Sequence, residues 1–189
     1  METGKKVVLE IKNLTASYGE NIVLTDFNLK IFEGQTVCLS GSSGIGKTTI
    51  ALAIVGGLKY SGGNFSGEIY VDKKRIDNLK RNELSSFCKD KISIMLQDSQ
   101  SSLNSTMKIG AQLMELVSDK KEAKKLIEQT LLTVGFENPQ DICNKYPYNL
   151  SGGMKQKVCF AMAIINKPKL LILDESYSNV DIETQNKLL

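Results

Sequence analysis

The sequence predicts an α/β fold: a parallel core sheet carrying a glycine-rich phosphate loop, with an antiparallel β layer ahead of it and a helical insertion behind. Three observations predict it. Gly41 to Thr49 reads GSSGIGKTT and fits GxxxxGK[ST], a loop that cradles phosphates. It lies between a short, mostly apolar run, Thr36-Val37-Cys38-Leu39-Ser40, and the all-apolar Ile50 to Val55, which supplies the order buried parallel strand, loop, buried helix. Leu170 to Leu173 is a second apolar run of strand length and ends in the adjacent carboxylates Asp174 and Glu175.

Taken in order, Val7, Leu9 and Ile11 alternate, Tyr18-Gly19-Glu20-Asn21 breaks the alternation, and Ile22 to Phe32 resumes it, which reads as the antiparallel β layer. Gly56-Gly57 should end the helix after the phosphate loop, and Ser61 to Asn64 reads as a flexible loop. Glu68 to Val71 reads as a short strand and Asp72 to Arg75 as an exposed turn with solvated charges. Ile92 to Leu96 reads as an apolar strand ending at Gln97. A serine-rich loop, Ser99 to Ser105, precedes helical periodicity over Met107 to Val117 and Lys120 to Val134. On the second of these helices Lys120, Lys121, Lys124 and Lys125 mark the wet face, and Ala123, Leu126, Ile127 and Thr130 the inner one. Pro139 to Asn149 reads as an irregular link. Leu150 to Gln156 opens a helix with Val158, Ala161, Met162 and Ile165 inside, stopping at Lys167-Pro168.

The motifs point to phosphate chemistry. Glycines in Gly41 to Thr49 let inward-facing N–H groups and a helix N-terminus hold phosphate oxygens; Lys47 would reach the outer phosphates and the Thr48 hydroxyl would ligate Mg2+. Ser151-Gly152-Gly153 at a helix start is either an ordinary cap or a second anion site. Side chains of neighbouring strand residues point opposite ways, so Asp174 and Glu175 take different tasks: Asp174 suits Mg2+ and Glu175 suits an attacking water. Tyr18 offers a ring that could stack on a base.

Bulk properties narrow the classes. The 189 residues suit one domain and 41% hydrophobic content can fill its core. A net charge of +3, with basic residues spread out, gives no case for nucleic acid. Cys38, Cys88, Cys143 and Cys159 show no CxxC pairing, which argues against zinc and for a reducing, cytosolic setting. Histidine is absent, so no step can use an imidazole of this chain. METGKKVVLE lacks a signal core and no apolar run approaches a membrane span, so the chain reads as soluble, with docking on a membrane protein still compatible.

The ordered set GSSGIGKTT, Gln97, LSGGMKQ and LLILDE resembles the nucleotide-binding domain of ABC ATPases over essentially the whole chain. That resemblance implies a RecA-like P-loop core with a helical subdomain at about 99–166, and ATP and Mg2+ as ligands. It implies adenine stacking by Tyr18 and phosphate binding by Gly41, Ser42, Ser43, Gly44, Ile45, Gly46, Lys47, Thr48 and Thr49. It further implies Mg2+ contacts from Thr48, Gln97 and Asp174, with Gln97 also sensing the transporter partner, and Glu175 as catalytic base assisted by Lys47 and Gln97. Ser151, Gly152, Gly153 and Gln156 become a signature that closes over ATP held by a second ATPase subunit in a head-to-tail homo- or heterodimer, and Ser178 to Asp181 the loop crossing that interface.

Gln97-Asp98, Ser102-Leu103-Asn104, Met107, Gly110, Gln112-Leu113 and Glu115, with Ala51 to Ile54, Pro147 and Leu150 to Gln156, are similar to ATPase subunits of oligopeptide, dipeptide and nickel importers. Such subunits are peripheral on the cytoplasmic face of the membrane, drive transmembrane permease subunits, and serve an extracytoplasmic solute-binding protein indirectly. Departures are Ser176 for a proline, Asn179-Val180 for Ala-Leu, and Ser99 and Ser105 where proline is common. By the family's spacing a switch histidine should follow Glu175 by about thirty residues, on a further core strand. The sequence ends at Leu189, so the resemblance implies a truncated domain that binds ATP better than it turns it over. The alternatives are a nucleotide-binding module without effective hydrolysis and a non-transport ABC ATPase.

Overall fold

The computed structural model describes residues 5–42, 44–96, 99–117 and 119–174. It divides into two compact units, Met1–Ile92 and Ser93–Leu189.

The first unit is built on an antiparallel sheet of order β2-β1-β3-β4. β1 (Val7–Tyr18) and β2 (Asn21–Phe32) pair from Val7↔Phe32 to Tyr18↔Asn21, the hairpin the alternation predicts. Leu9, Ile11, Leu14 and Ala16 of β1 are buried. β3 (Gly63–Val71) starts earlier than expected, so Gly63 and Asn64 belong to a strand and not to a loop. They continue the β1 ladder through Ser17↔Asn64 and Tyr18↔Gly63. Glycine is required there: a side-chain carbon on Gly63 would lie 2.7 Å from Leu58 Cδ1 and 3.1 Å from Tyr18 Cε1. β4 (Lys74–Arg75) returns along β3. Asp72 and Arg75 of this turn are paired, while Lys73 and Lys74 are exposed as expected. Arg75 binds Glu68 at 2.8 Å and Asp77 at 3.0 Å, and Asp72 accepts from Lys6 at 2.7 Å.

α1 (Lys47–Ile54) follows the phosphate loop and buries Thr49, Ile50, Ala51, Ala53 and Ile54. α2 (Arg81–Lys91) has no counterpart in the sequence reading; it buries no residue fully, so no apolar stripe announces it. Its Leu84 packs on Gly56, where an added side-chain carbon would meet Leu84 Cδ2 at 2.3 Å. The expected strand Thr36 to Ser40 does not form. These residues lie outside both sheets, and Cys38 and Leu39 are exposed. A buried parallel strand exists only by pairing on both sides, and among the described residues nothing pairs with this segment.

In the second unit β5 (Ile92–Met95) and β6 (Leu170–Leu173) form a two-stranded sheet. β6 is less buried than its composition suggests, with Leu173 36% exposed. Helices α3 (Ile109–Leu116), α4 (Ala123–Thr133), α5 (Pro139–Asn144) and α6 (Gly152–Ile164) surround a core that includes Ile109, Leu113, Ile127, Leu131, Ile142, Val158 and Phe160. The Pro139 to Asn149 segment is therefore ordered: Asn138 Oδ1 accepts from Asp141 N, Pro139 sits in the first turn, and a 3-10 turn at Pro147–Asn149 follows α5. A 3-10 turn at Ser99–Ser102 likewise occupies part of the expected serine-rich loop. Gly110 lets α3 approach α5, since a side-chain carbon there would lie 2.8 Å from Cys143 Cβ. No helix among the described residues is long and apolar enough to cross a membrane.

Candidate functional site

The phosphate loop lies wholly in the first unit. Gly44 (φ 82°) and Gly46 (φ 101°) adopt left-handed backbone that side-chain-bearing residues rarely tolerate, which turns the chain sharply into α1. A side-chain carbon on Gly46 would also lie 2.8 Å from Leu24 Cγ, so β2 walls the loop from one side. Lys47, at the first position of α1, folds back over the loop: its Nζ donates to Gly41 O at 2.8 Å and Ser42 O at 3.0 Å. The ammonium is held where the loop's own carbonyls converge. Thr48 is exposed in the first turn of α1 while Thr49 is buried. Tyr18 is half-buried at the end of β1, in the same unit. Ser43 lies outside the described residues.

The second unit carries the other expected helix start. Ser151 caps α6, its Oγ accepting from Met154 N at 3.3 Å. Ser151, Gly152 and Gly153 are exposed, and among the described residues nothing lies within 4 Å of a carbon placed on Gly153. Gln156, the fourth residue of the expected set, is 5% exposed and falls on the core-facing side of α6 with Cys159 and Phe160. Just ahead of the cap, the rings of Tyr146 and Tyr148 stack at 5.3 Å with Tyr148 68% exposed.

Asp174 follows β6 directly and its N–H donates to Met95 O at 2.9 Å, which ties the end of β6 to β5. Gln97, Glu175 and Ser178 to Asp181 lie outside the described residues. Among the described residues no cluster of three or more His, Cys, Asp or Glu could cage a metal.

Two glutamines with no assigned role lie in the second unit. Gln112, 6% exposed on α3, accepts from Asn104 N at 3.0 Å and donates to Asn104 O at 3.0 Å and Met107 O at 2.9 Å. Gln100 lies against the start of α6. The importer-like run 102–115 thus contains a structural clamp, which spacing alone does not disclose.

A family profile described as ABC transporter matches residues 24–178. The chain therefore belongs to the ABC transporter family. It is 34% identical over 192 residues to the oligopeptide transport ATP-binding protein AppD of Bacillus subtilis (strain 168), covering 96% of this chain and 58% of the relative. It is 34% identical to the dipeptide transport ATP-binding protein DppF of Lactococcus lactis subsp. cremoris (strain MG1363), covering 99% and 62%. The chain spans little more than half the length of the curated relatives it matches. Among solved structures, the dimeric post-hydrolysis state of the ATP-binding cassette MJ0796, bound to ADP and Pi, is 28% identical with a TM-score of 0.78, covering 95% of this chain and 79% of that one. The cbiO1 protein of Clostridium perfringens, part of the cbiONQ transporter complex, is 26% identical with a TM-score of 0.78, covering 97% and 71%. The α/β fold is that of ABC ATPase cassettes.

Proposed function

We propose that this chain is the ATP-binding and ATP-hydrolysing part of a peptide importer, working at the cytoplasmic face of a membrane through permease partners. The observation that carries the reading is Lys47 poised across the glycine loop, its two hydrogen bonds going to carbonyls that incoming phosphate oxygens can replace as partners. N–H groups at the start of α1 add the helix dipole to the same end of the loop. Tyr18 is proposed to stack on the adenine. Mg2+ would neutralise charge on the outer phosphates, and Thr48, Gln97 and Asp174 are the residues proposed to bind it. Glu175 is proposed to take the proton of the attacking water. Ser151, Gly152 and Gly153 would receive the terminal phosphate of ATP held by a second subunit, and α3–α6 fall within the proposed helical subdomain at 99–166. The names of the relatives support peptides as cargo; nickel, also implied by the resemblance, has no support in the relatives quoted.

One observation favours binding without effective turnover. Among the described residues the segment leading into the loop, Thr36 to Ser40, has no strand partner, and phosphate positioning depends on a rigidly mounted loop. Steady-state Mg-ATP turnover with Lys47→Ala and Glu175→Gln controls decides. Turnover that both substitutions abolish establishes an ATPase; ATP binding with turnover no higher than the controls establishes a nucleotide-binding module.

A further inference from the structure

We propose that a cleft at the start of β1 is a second anion site, built for an organic phosphate ester: Lys5, Lys6 and Lys73 surround the phosphate, and Val7 and Tyr70 receive the apolar body. Among the described residues none of the phosphate loop lines this cleft, so the two sites are separate.

The fold gathers charges that are spread along the sequence. Lys5, Lys6, Val7 and Glu10 come from the entry into β1, Tyr70 from β3, and Lys73 from the turn between β3 and β4, and all line one cleft of about 670 Å3. That volume lies in the range of small-molecule sites. The β1–β3 ladder fixes the arrangement: Glu10 pairs with Tyr70, Leu9 with Val71, and Asp72 N donates to Val8 O at 2.9 Å.

The carboxylates beside the cleft are already engaged. Asp72 lies 2.7 Å from Lys6 and 3.8 Å from Lys91, so one carboxylate serves two lysines. Glu10 lies 2.8 Å from Lys30 and 3.5 Å from Lys12, and Glu68, which accepts from the Tyr70 hydroxyl, is bound by Arg75. Glu33 adds a weaker attraction on Lys6. Lys73, by contrast, is exposed and has no ion pair among the described residues.

The position of Lys73 is a second, independent observation. Asp72 and Lys73 are the central residues of the turn closed by Val71 and Lys74, with φ of 49° and 69°. A two-residue turn with both central residues left-handed favours glycine at the second of them. The chain instead carries an ammonium there, at the rim of the cleft, against the preference of the backbone.

The donor set selects phosphate. An ammonium is a compact charge with rotatable donors, and several of them converging from separate segments suit a tetrahedral dianion. A carboxylate offers one charge in one plane, which a guanidinium fork matches better. Val7 and the Tyr70 ring, both half-buried, give the organic part an apolar surface.

The test titrates phenyl phosphate calorimetrically into the 189-residue chain carrying Lys47→Ala, which removes the ammonium of the phosphate loop. In that background Lys73→Gly should weaken binding by about fivefold and Lys5→Gln by about threefold, while Lys59→Gln, outside the cleft, should change nothing measurable. Because glycine suits the turn, Lys73→Gly should melt no lower than its parent, which separates a binding role from a structural one. With Lys47 intact, affinity for a fluorescent ATP analogue, which reports the phosphate loop, should stay within about twofold in Lys73→Gly. Sedimentation with vesicles of phosphatidic acid in phosphatidylcholine distinguishes the sources of the phosphate. Lys73-dependent vesicle binding alongside phenyl phosphate binding supports the site and assigns it a lipid headgroup; phenyl phosphate binding without vesicle binding supports it and assigns a free ester. No saturable binding of phenyl phosphate, an equal loss in Lys59→Gln, or benzoate binding as tightly as phenyl phosphate overturns the proposal.

Discussion

At the scale of single residues, the loop depends on glycines whose side-chain space is already taken or whose backbone is left-handed. Gly46→Ala forces a carbon against Leu24 and keeps φ positive, so it should destabilise the chain by about 1–3 kcal/mol and abolish nucleotide binding, read by denaturant unfolding and by the ATP-analogue titration. Gly44→Ala separates the two effects, because among the described residues a carbon there meets nothing within 4 Å, while its φ of 82° still strains any side-chain-bearing residue. The thiols offer a pH test. Burial pushes the Cys88 thiol up from its ordinary value, and burial, then the nearby Glu128 charge, does the same for Cys143. Both should carboxymethylate slowly in the native state at mildly alkaline pH, faster as pH climbs toward their raised values, and at ordinary thiol rates once unfolded; mass spectrometry of timed samples checks it. The loop and Ser151 were legible from sequence because motif chemistry is local. Gln100 was not, because its place beside Gly152 depends on how a 3-10 turn packs on a helix distant in the chain.

At the scale of elements, legibility followed how much of each signal the chain carries within itself. β1 and β2 alternate, so their hairpin was readable in register. Gly63 and Asn64 signal a turn and so shorten β3 in the sequence pattern, while the structure uses Gly63 to pass between Leu58 and Tyr18. α5 has a helix start in Asn138, Pro139 and Asp141 but no periodicity to announce it, because only Pro139 and Ile142 are buried and no long stripe repeats. The Gln112 clamp makes a prediction at this scale. Gln112→Met keeps the volume but removes three hydrogen bonds around Asn104, and should cost about 2 kcal/mol in unfolding free energy. Gly110→Ala should cost a similar amount by parting α3 from α5, and a circular-dichroism melt of each variant reads the loss.

At the scale of the molecule, the segment from Thr36 to Ser40, which has no strand partner among the described residues, is the outlying feature. Periodicity correctly marked it apolar, but whether such a run becomes a strand is decided by neighbours and not by its own residues. Exposed Leu39, and backbone without a strand partner among the described residues, make it a template for other chains. The purified chain should self-associate without nucleotide, with a mass that rises with concentration in light scattering. Leu39→Lys should reduce it while leaving nucleotide binding in place; a monomer at all concentrations would count against the idea.

The stacked tyrosines before α6 give the molecule its own optical probe. The chain has six tyrosines and no tryptophan, so its ultraviolet emission is tyrosine emission, undimmed by transfer to an indole. Tyr148 stands three positions ahead of Ser151 and is largely open to solvent. A quencher dissolved in the buffer therefore reaches it freely in the isolated chain. Anything that closes over the start of α6 should shade that ring, and the lost quenching would report the event without a label.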